Sequence, residues 1–251
     1  ASQKRNIEIV KVLIKAGGNV NQATTTDGAP PLCIASQDGN LNLVKVLLKA
    51  GGNVNQATTT DGASPLYIAS QKGDVATVKV LIKAGGNVNQ VRTTDGASPL
   101  WIASENGNVD TVKVLIKSGA NVNQARTTDG ASPLCIASHN GHLAIVEVLI
   151  DAGGDVNQAE TETGCSPLFI ASQQGNVDTV KVLLEAGGNV NQLNHKNQTP
   201  LNMACFVGNI NIVRLFLQQP TIDANKMNDW NLTPCENAEA QGHHEIVKLF
   251  E

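Results

Sequence analysis

The chain has 251 residues, a formal net charge of −4 and 41% hydrophobic residues, but only 4 Phe, 2 Trp and 1 Tyr. Because aromatic side chains usually supply much of a globular core, this composition argues against one large core of the ordinary kind. Proteins that bind nucleic acids usually carry an excess of basic residues, whereas this chain is mildly acidic. We therefore expect no nucleic-acid partner.

The most apolar stretches are interrupted by lysine every few residues, and none approaches the 18 or more residues of a membrane span. We therefore expect no membrane insertion. The five cysteines are odd in number and lack paired spacing, which argues against a disulfide framework. This pattern favours a reducing compartment, the cytoplasm or alternatively the nucleus.

A repeat dominates the sequence. Proline recurs every 34 residues from Pro31 to Pro167, and steps of 33 and 34 then lead to Pro200 and Pro234. Near-copied segments of this length predict an array of about seven stacked repeats. We assign one repeat domain, 1–251, that begins with a partial repeat, 1–18, and ends with another, 223–251. The full repeats between them are 19–52, 53–86, 87–120, 121–154, 155–188 and 189–222.

Each repeat predicts two short antiparallel helices. Ser64-Pro65 is typical of a helix start, and Gly73 ends that helix after about two turns. A second helix follows from Val75 to about Ala84, with its apolar residues on one face. The polar loop that comes next contains Asp95-Gly96, a turn signal. A single helix pair cannot bury its apolar face, so neighbouring repeats must stack.

These motifs resemble the ankyrin repeat. A tetratricopeptide array has a similar period, but its first helix is longer, its loop is shorter and it has more aromatic positions. The matching residues are Asp61-Gly62-Ala63-Ser64-Pro65-Leu66, Ile68-Ala69, Gly73, Val78, Leu81-Ile82, Gly85 and Val88-Asn89. The resemblance implies an all-α repeat solenoid of stacked helix–loop–helix repeats with β-hairpin finger loops. The first helices and fingers would line a concave groove, and the second helices would form the convex back.

The resemblance also implies a protein–protein interaction scaffold, a monomer that binds a protein or peptide in its groove. The sequence predicts no enzyme, no cofactor and no metal site, because no cluster has the required spacing. Two alternatives stay open. The chain could be a structural spacer or spring in a longer array, or the substrate-recruiting arm of a larger enzyme or channel.

The position after each Pro-Leu pair departs from the family, which usually has His there. It carries Cys33, Tyr67, Trp101, Cys135, Phe169 and Asn202. Two interpretations are open for this row: packing between neighbouring repeats, or a ladder of anchors for a partner. A nearby first-helix row also varies and is a second candidate for partner binding, namely Gln71, Glu105 and His139.

The fingers carry a row of charged candidates. Aspartate precedes glycine at Asp27, Asp61, Asp95 and Asp129, and arginine replaces threonine nearby at Arg92 and Arg126. Aspartate before glycine is good turn chemistry, so a turn role alone is one interpretation. Rim charge that attracts a partner segment with basic character is the other.

Two further features complete the candidates. Lysines recur on the second helices, where a solvated back is the simpler interpretation and a polyanion site the alternative. The segment at Asn157 is similar to the context in which ankyrin asparagines are hydroxylated, so Asn157 is a candidate modification site. The alternative is that asparagine side chains tie neighbouring loops together.

Overall fold

The computed structural model describes the backbone of residues 2–251 and the side chains of residues 7–251. Ala1, where the first partial repeat starts, lies outside this part. The described residues form 15 helices and no strands. The chain consists of two compact units, unit 1 at Ala1–Asn121 and unit 2 at Val122–Glu251. The boundary between them falls one residue from the predicted repeat boundary at 120/121.

Two kinds of helix alternate along the chain. The first helices of the repeats begin at proline and are α2 (Pro31–Gln37), α4 (Pro65–Lys72), α6 (Pro99–Glu105), α8 (Pro133–Asn140), α10 (Pro167–Gln174), α12 (Pro200–Val207) and α14 (Pro234–Ala240). The second helices are α1 (Ser2–Lys15), α3 (Leu41–Lys49), α5 (Val75–Lys83), α7 (Val109–Lys117), α9 (Leu143–Asp151), α11 (Val177–Glu185), α13 (Ile210–Leu217) and α15 (His244–Val247).

Local sequence sets the helix ends. The Ser64 hydroxyl accepts a hydrogen bond from the Tyr67 backbone N–H at 3.1 Å and so caps α4. Gly73 ends α4 in the left-handed conformation with φ of 69°, where a side chain would be strained. The second helix of this repeat, α5, ends at Lys83 with Ala84 as its C-cap. Both predicted helices of the repeat are therefore confirmed.

The helix pairs stack within each unit. In unit 1 the first helices α2, α4 and α6 pack in chain order, and so do α1, α3, α5 and α7. In unit 2 the same holds for α8, α10, α12 and α14, and for α9, α11, α13 and α15. Aliphatic side chains such as Leu66, Val78 and Leu81 fill the spaces between the helices and are fully buried. The fold class is an all-α repeat solenoid, as predicted.

The fingers differ from the expected β-hairpins. In one finger the Thr58 N–H donates to the Ala63 carbonyl at 3.0 Å and the Gly62 N–H donates to the Thr58 carbonyl at 3.2 Å. These two bonds close a turn and leave too few residues for a strand ladder, and no strand occurs in residues 2–251. Neighbouring fingers still touch, because the Thr93 N–H donates to the Asp61 carbonyl at 3.0 Å.

That contact explains why residue 62 is a glycine. Gly62 has a φ of 74°, and a Cβ added there would lie 2.7 Å from the Thr93 backbone nitrogen. Glycine is therefore needed both for the turn and for the close approach of the next finger.

Candidate functional site

Two surfaces of each unit are relevant to binding. The groove face is formed by the first helices and the fingers, and the back face by the second helices. All the predicted partner-binding residues belong to first helices or fingers, so they can be compared by their burial and contacts.

The row after Pro-Leu is buried. Tyr67 and Trp101 are 1% exposed and Phe169 is 2% exposed, and Cys33 and Cys135 are buried as well. The Cys33 thiol lies 3.5 Å from the Gln56 carbonyl oxygen of the following repeat. This placement corrects the interpretation of the row as an open ladder of anchors, because side chains this deep cannot reach a partner. It favours the alternative, packing between neighbouring repeats.

The second first-helix row is accessible. Gln71 and His139 are exposed and Glu105 is partly exposed, each near the end of its first helix. In unit 2 the Nδ1 atom of His139 lies 3.4 Å from the Gln174 side-chain nitrogen. These three residues therefore remain candidates for direct contact with a partner.

In the fingers, positions three residues apart bind each other. Asp61 accepts a hydrogen bond from the Thr58 hydroxyl, and Asp95 accepts one from the Arg92 Nε at 3.0 Å. Arg126 pairs with Asp129 in the same way. In the next finger the order reverses, because the Thr163 hydroxyl donates to Glu160 at 2.6 Å.

The sequence hypothesis missed the threonine partners. The sequence contains a signal for this pairing. In each of these fingers a hydrogen-bond donor and a carboxylate stand three residues apart, as Thr24 and Asp27 do. The paired positions are Thr24 and Asp27, Thr58 and Asp61, Arg92 and Asp95, Arg126 and Asp129, and Glu160 and Thr163.

The pairing changes the charge that each finger presents. The hydrogen bond from the Arg126 guanidinium lowers the pKa of Asp129, and the negative charge of Asp129 is neutralised in the ion pair. Arg92 neutralises Asp95 likewise, and its own pKa is raised by the hydrogen bond to Asp95. Asp27 keeps its negative charge, with a pKa lowered by the Thr24 hydroxyl. Among the described residues, neither Asp27 nor Asp61 forms an ion pair.

A depression opens on the groove face of unit 1. It has a volume of about 580 Å³, and its charged lining residues are Asp27, Asp61, Lys72 and Arg92, with Tyr67 and Gln71 among the others. The Arg92 guanidinium lies 5.1 Å from the centre of the Tyr67 ring. Burial raises the pKa of the Tyr67 hydroxyl to about 12, so it is a neutral hydrogen-bond donor. This hydroxyl has no hydrogen-bond partner in the structure.

Asparagine side chains join successive loops, as one of the two interpretations expected. The Asn157 Oδ1 accepts a hydrogen bond from the Asn189 N–H at 2.7 Å, and its Nδ2 donates to the Gly187 carbonyl at 3.4 Å. In unit 1 the Asn55 side chain makes the same two bonds, accepting from the Asn87 N–H of the next repeat at 2.8 Å and donating to the Gly85 carbonyl at the end of its own repeat at 3.1 Å. The hydroxylation of Asn157 stays a prediction.

Further properties of the described residues bear on metal binding, cysteine reactivity and membrane crossing. They contain no group of three or more His, Cys, Asp or Glu that could hold a metal ion. The cysteines are free thiols, and burial raises the pKa of Cys33 and Cys205 to about 12. Nor does the described part include a helix with the length and apolar character needed to cross a membrane.

Comparison with known proteins agrees with the repeat architecture. A family model described as ankyrin repeats, in three copies, matches overlapping segments at 1–92, 43–126, 66–160, 100–194 and 168–250. Together the segments cover nearly the whole chain. A search of curated proteins gave no match.

Proposed function

Because the chain belongs to the ankyrin-repeat family, whose repeats are generally protein–protein interaction modules, we propose that its groove face binds a segment of a partner protein. The observation that carries this proposal is the depression in unit 1. Two carboxylates, Asp27 and Asp61, lie there without an ion pair among the described residues, beside the unbonded hydroxyl of Tyr67. An arginine or lysine of the partner would pair with Asp27 or Asp61, whereas the Tyr67 hydroxyl is too deeply buried to take part.

The proposal gives the candidate residues different roles. Asp27 and Asp61 attract the cation of the partner, and the exposed side chain of Gln71 contacts its chain. Arg92 marks the edge of the attractive region, because beyond it Asp95 is already neutralised. The buried row holds the groove face in shape and does not touch the partner.

Ankyrin-repeat proteins are typically non-catalytic scaffolds. We propose that this chain likewise acts by binding, as a monomer, without a cofactor, in the cytoplasm or nucleus. A spacer in a longer array is the alternative, supported by the near-identity of the repeats. The two proposals differ in what they require of the depression. A binding scaffold needs a surface there that selects its partner, and a spacer does not.

The chain itself supplies a variant that tests this role. Thr58→Arg copies the natural arrangement of the next finger, where Arg92 pairs with Asp95 in the same sequence context. The new arginine should pair with Asp61 and remove its attraction for a cation. A fluorescein-labelled (Arg-Ser-Gly)4 peptide at low salt should then bind about fivefold more weakly, within the range for exposed charge pairs.

Two controls make the result specific. Asn42 is exposed on α3, on the back face. The variant Asn42→Arg adds the same charge there and should change the affinity for the peptide by less than twofold. A peptide with citrulline in place of arginine keeps the shape but loses the charge, and should bind weakly to the natural chain. Equal binding of the two peptides, or an unchanged affinity for Thr58→Arg, would favour the spacer.

A further inference from the structure

Charge is distributed unevenly along the chain. Residues 1–121 have 12 Lys and Arg against 8 Asp and Glu, a formal charge of +4, whereas residues 122–251 have 6 against 14, a charge of −8. The two values add to the −4 of the whole chain. Such an asymmetry between halves suggests an interaction with a charged partner.

The positive charge of unit 1 is concentrated on its back face. Each of its second helices carries two lysines four residues apart, and all of them are exposed. They form two rows at 34-residue spacing, Lys11, Lys45, Lys79 and Lys113 in one and Lys15, Lys49, Lys83 and Lys117 in the other. We refer to these eight residues as the lysine grid.

Few of the grid lysines form ion pairs. Lys11 pairs with Glu8 at 2.7 Å, and no other grid lysine has a carboxylate within 4 Å among the described residues. In unit 2 the equivalent positions include the acidic residues Glu147 and Asp151, and Lys181 is paired with Asp178 at 3.0 Å. Asp110 stands at the same spacing before Lys113 in unit 1, but these two described residues do not form an ion pair. Rows of unpaired lysines on the second helices therefore occur in unit 1.

The spacing of the grid matches an extended chain. Lysines four residues apart lie about 6 Å apart along a helix axis, and packed neighbouring helices lie about 8–10 Å apart. The helices α3, α5 and α7 pack in this order. A peptide in the extended polyproline II conformation advances about 3.1 Å per residue with three residues per turn, so every third side chain lies on the same face and would meet the next helix of a row.

We propose that the back face of unit 1 docks an extended acidic segment of a partner protein, with a carboxylate at every third residue. The segment lies across α3, α5 and α7 and pairs with Lys45, Lys79 and Lys113. Each exposed pair contributes little alone, and the affinity comes from several pairs made together. This surface is separate from the groove face and does not depend on the function proposed for it.

The charge distribution favours a short segment over a larger polyanion. A membrane or a nucleic acid presents dense negative charge over lengths greater than one unit. The net charge of −4 on the whole chain opposes approach to such a surface. A segment of about ten residues faces the +4 of unit 1 alone.

The test uses a fluorescein-labelled (Glu-Ser-Gly)4 peptide and fluorescence anisotropy at about 50 mM salt. The triple variant Lys45→Gln, Lys79→Gln and Lys113→Gln should bind it about tenfold more weakly, because three pairs are lost. Glutamine has nearly the helix propensity of lysine, so the helices should be retained, which far-UV circular dichroism checks. A composition-matched peptide with its four glutamates in succession should bind the natural chain less tightly.

A charge-matched variant is the control. Lys181→Gln, Lys226→Gln and Lys248→Gln together lower the net charge by the same amount but lie in unit 2. Equal weakening by both triple variants would overturn the proposal, as would equal affinity for the two peptides. Tighter binding of phosphatidylserine vesicles or of single-stranded RNA than of the peptide would overturn it in favour of that other class of partner.

Discussion

At the scale of single residues, burial separates packing positions from contact positions. Tyr67 and Trp101 stand at equivalent positions and are each 1% exposed, whereas Gln71, four residues after Tyr67, is exposed. The two rows look equally variable in the sequence. Only the neighbouring repeat decides which of them is covered, because its loop lies over the first row, as the contact of Cys33 with Gln56 illustrates.

The packing role of Trp101 has a measurable consequence. Trp101→Ala should lower the free energy of unfolding by about 3–5 kcal/mol, because it removes a large buried side chain and leaves a cavity. Urea unfolding followed by far-UV circular dichroism measures the loss. A variant of unchanged stability that no longer bound the partner would restore the interpretation of this residue as an anchor.

At the scale of elements, each first helix depends on its cap. The serines before the prolines accept hydrogen bonds from the backbone three residues later, as Ser98 does from the Trp101 N–H at 3.0 Å. Pro30 stands at this position in the first full repeat and makes no such side-chain bond. The caps matter because a helix of seven or eight residues leaves most of its backbone groups near an end.

Removal of one cap should be detectable. Ser98→Ala should lower the free energy of unfolding by about 1 kcal/mol, the usual cost of a lost N-cap. Ser118→Ala is the matched control, because Ser118 is an exposed C-cap where other repeats carry alanine, such as Ala84. Its effect should stay within about 0.5 kcal/mol. Equal losses in the two variants would argue against a capping role for Ser98.

At the scale of the whole molecule, repeats are stabilised by their neighbours. In unit 1, α5 packs against both α3 and α7, and its Val78 and Leu81 are fully buried. Helix α1 packs against α3, and its Val12 and Leu13 are 65% and 58% exposed. Since stability in such arrays is roughly a sum of repeat and interface terms, α1 should open more readily than α5.

Hydrogen exchange measures this difference directly. We expect amide exchange in the segment 7–15 to be at least about tenfold faster than in α5, because local opening costs less where fewer apolar contacts are lost. Mass spectrometry of peptides from the native chain resolves the two segments. Slow and equal exchange in both would contradict a stack in which interfaces set local stability.

Much of the fold was predictable because it is encoded locally. Ser64-Pro65 and Gly73 set the ends of α4 through a side-chain hydrogen bond and a left-handed turn, and neither depends on distant residues. The finger loops were predicted less well. Their expected strands do not occur in the described residues, because Thr58 and Ala63 already close the loop with a turn.

The candidate site was predictable only in part. Its charged positions could be identified from the sequence, but the neutralisation of Asp95 by Arg92 depends on the turn that brings them together. The sequence by itself determined the repeats, the helix ends and the stacking, since caps, turns and apolar periodicity act over a few residues. The tertiary structure alone decided which side chains are covered and which charges remain unpaired, since both depend on the neighbouring repeat or on the folded finger.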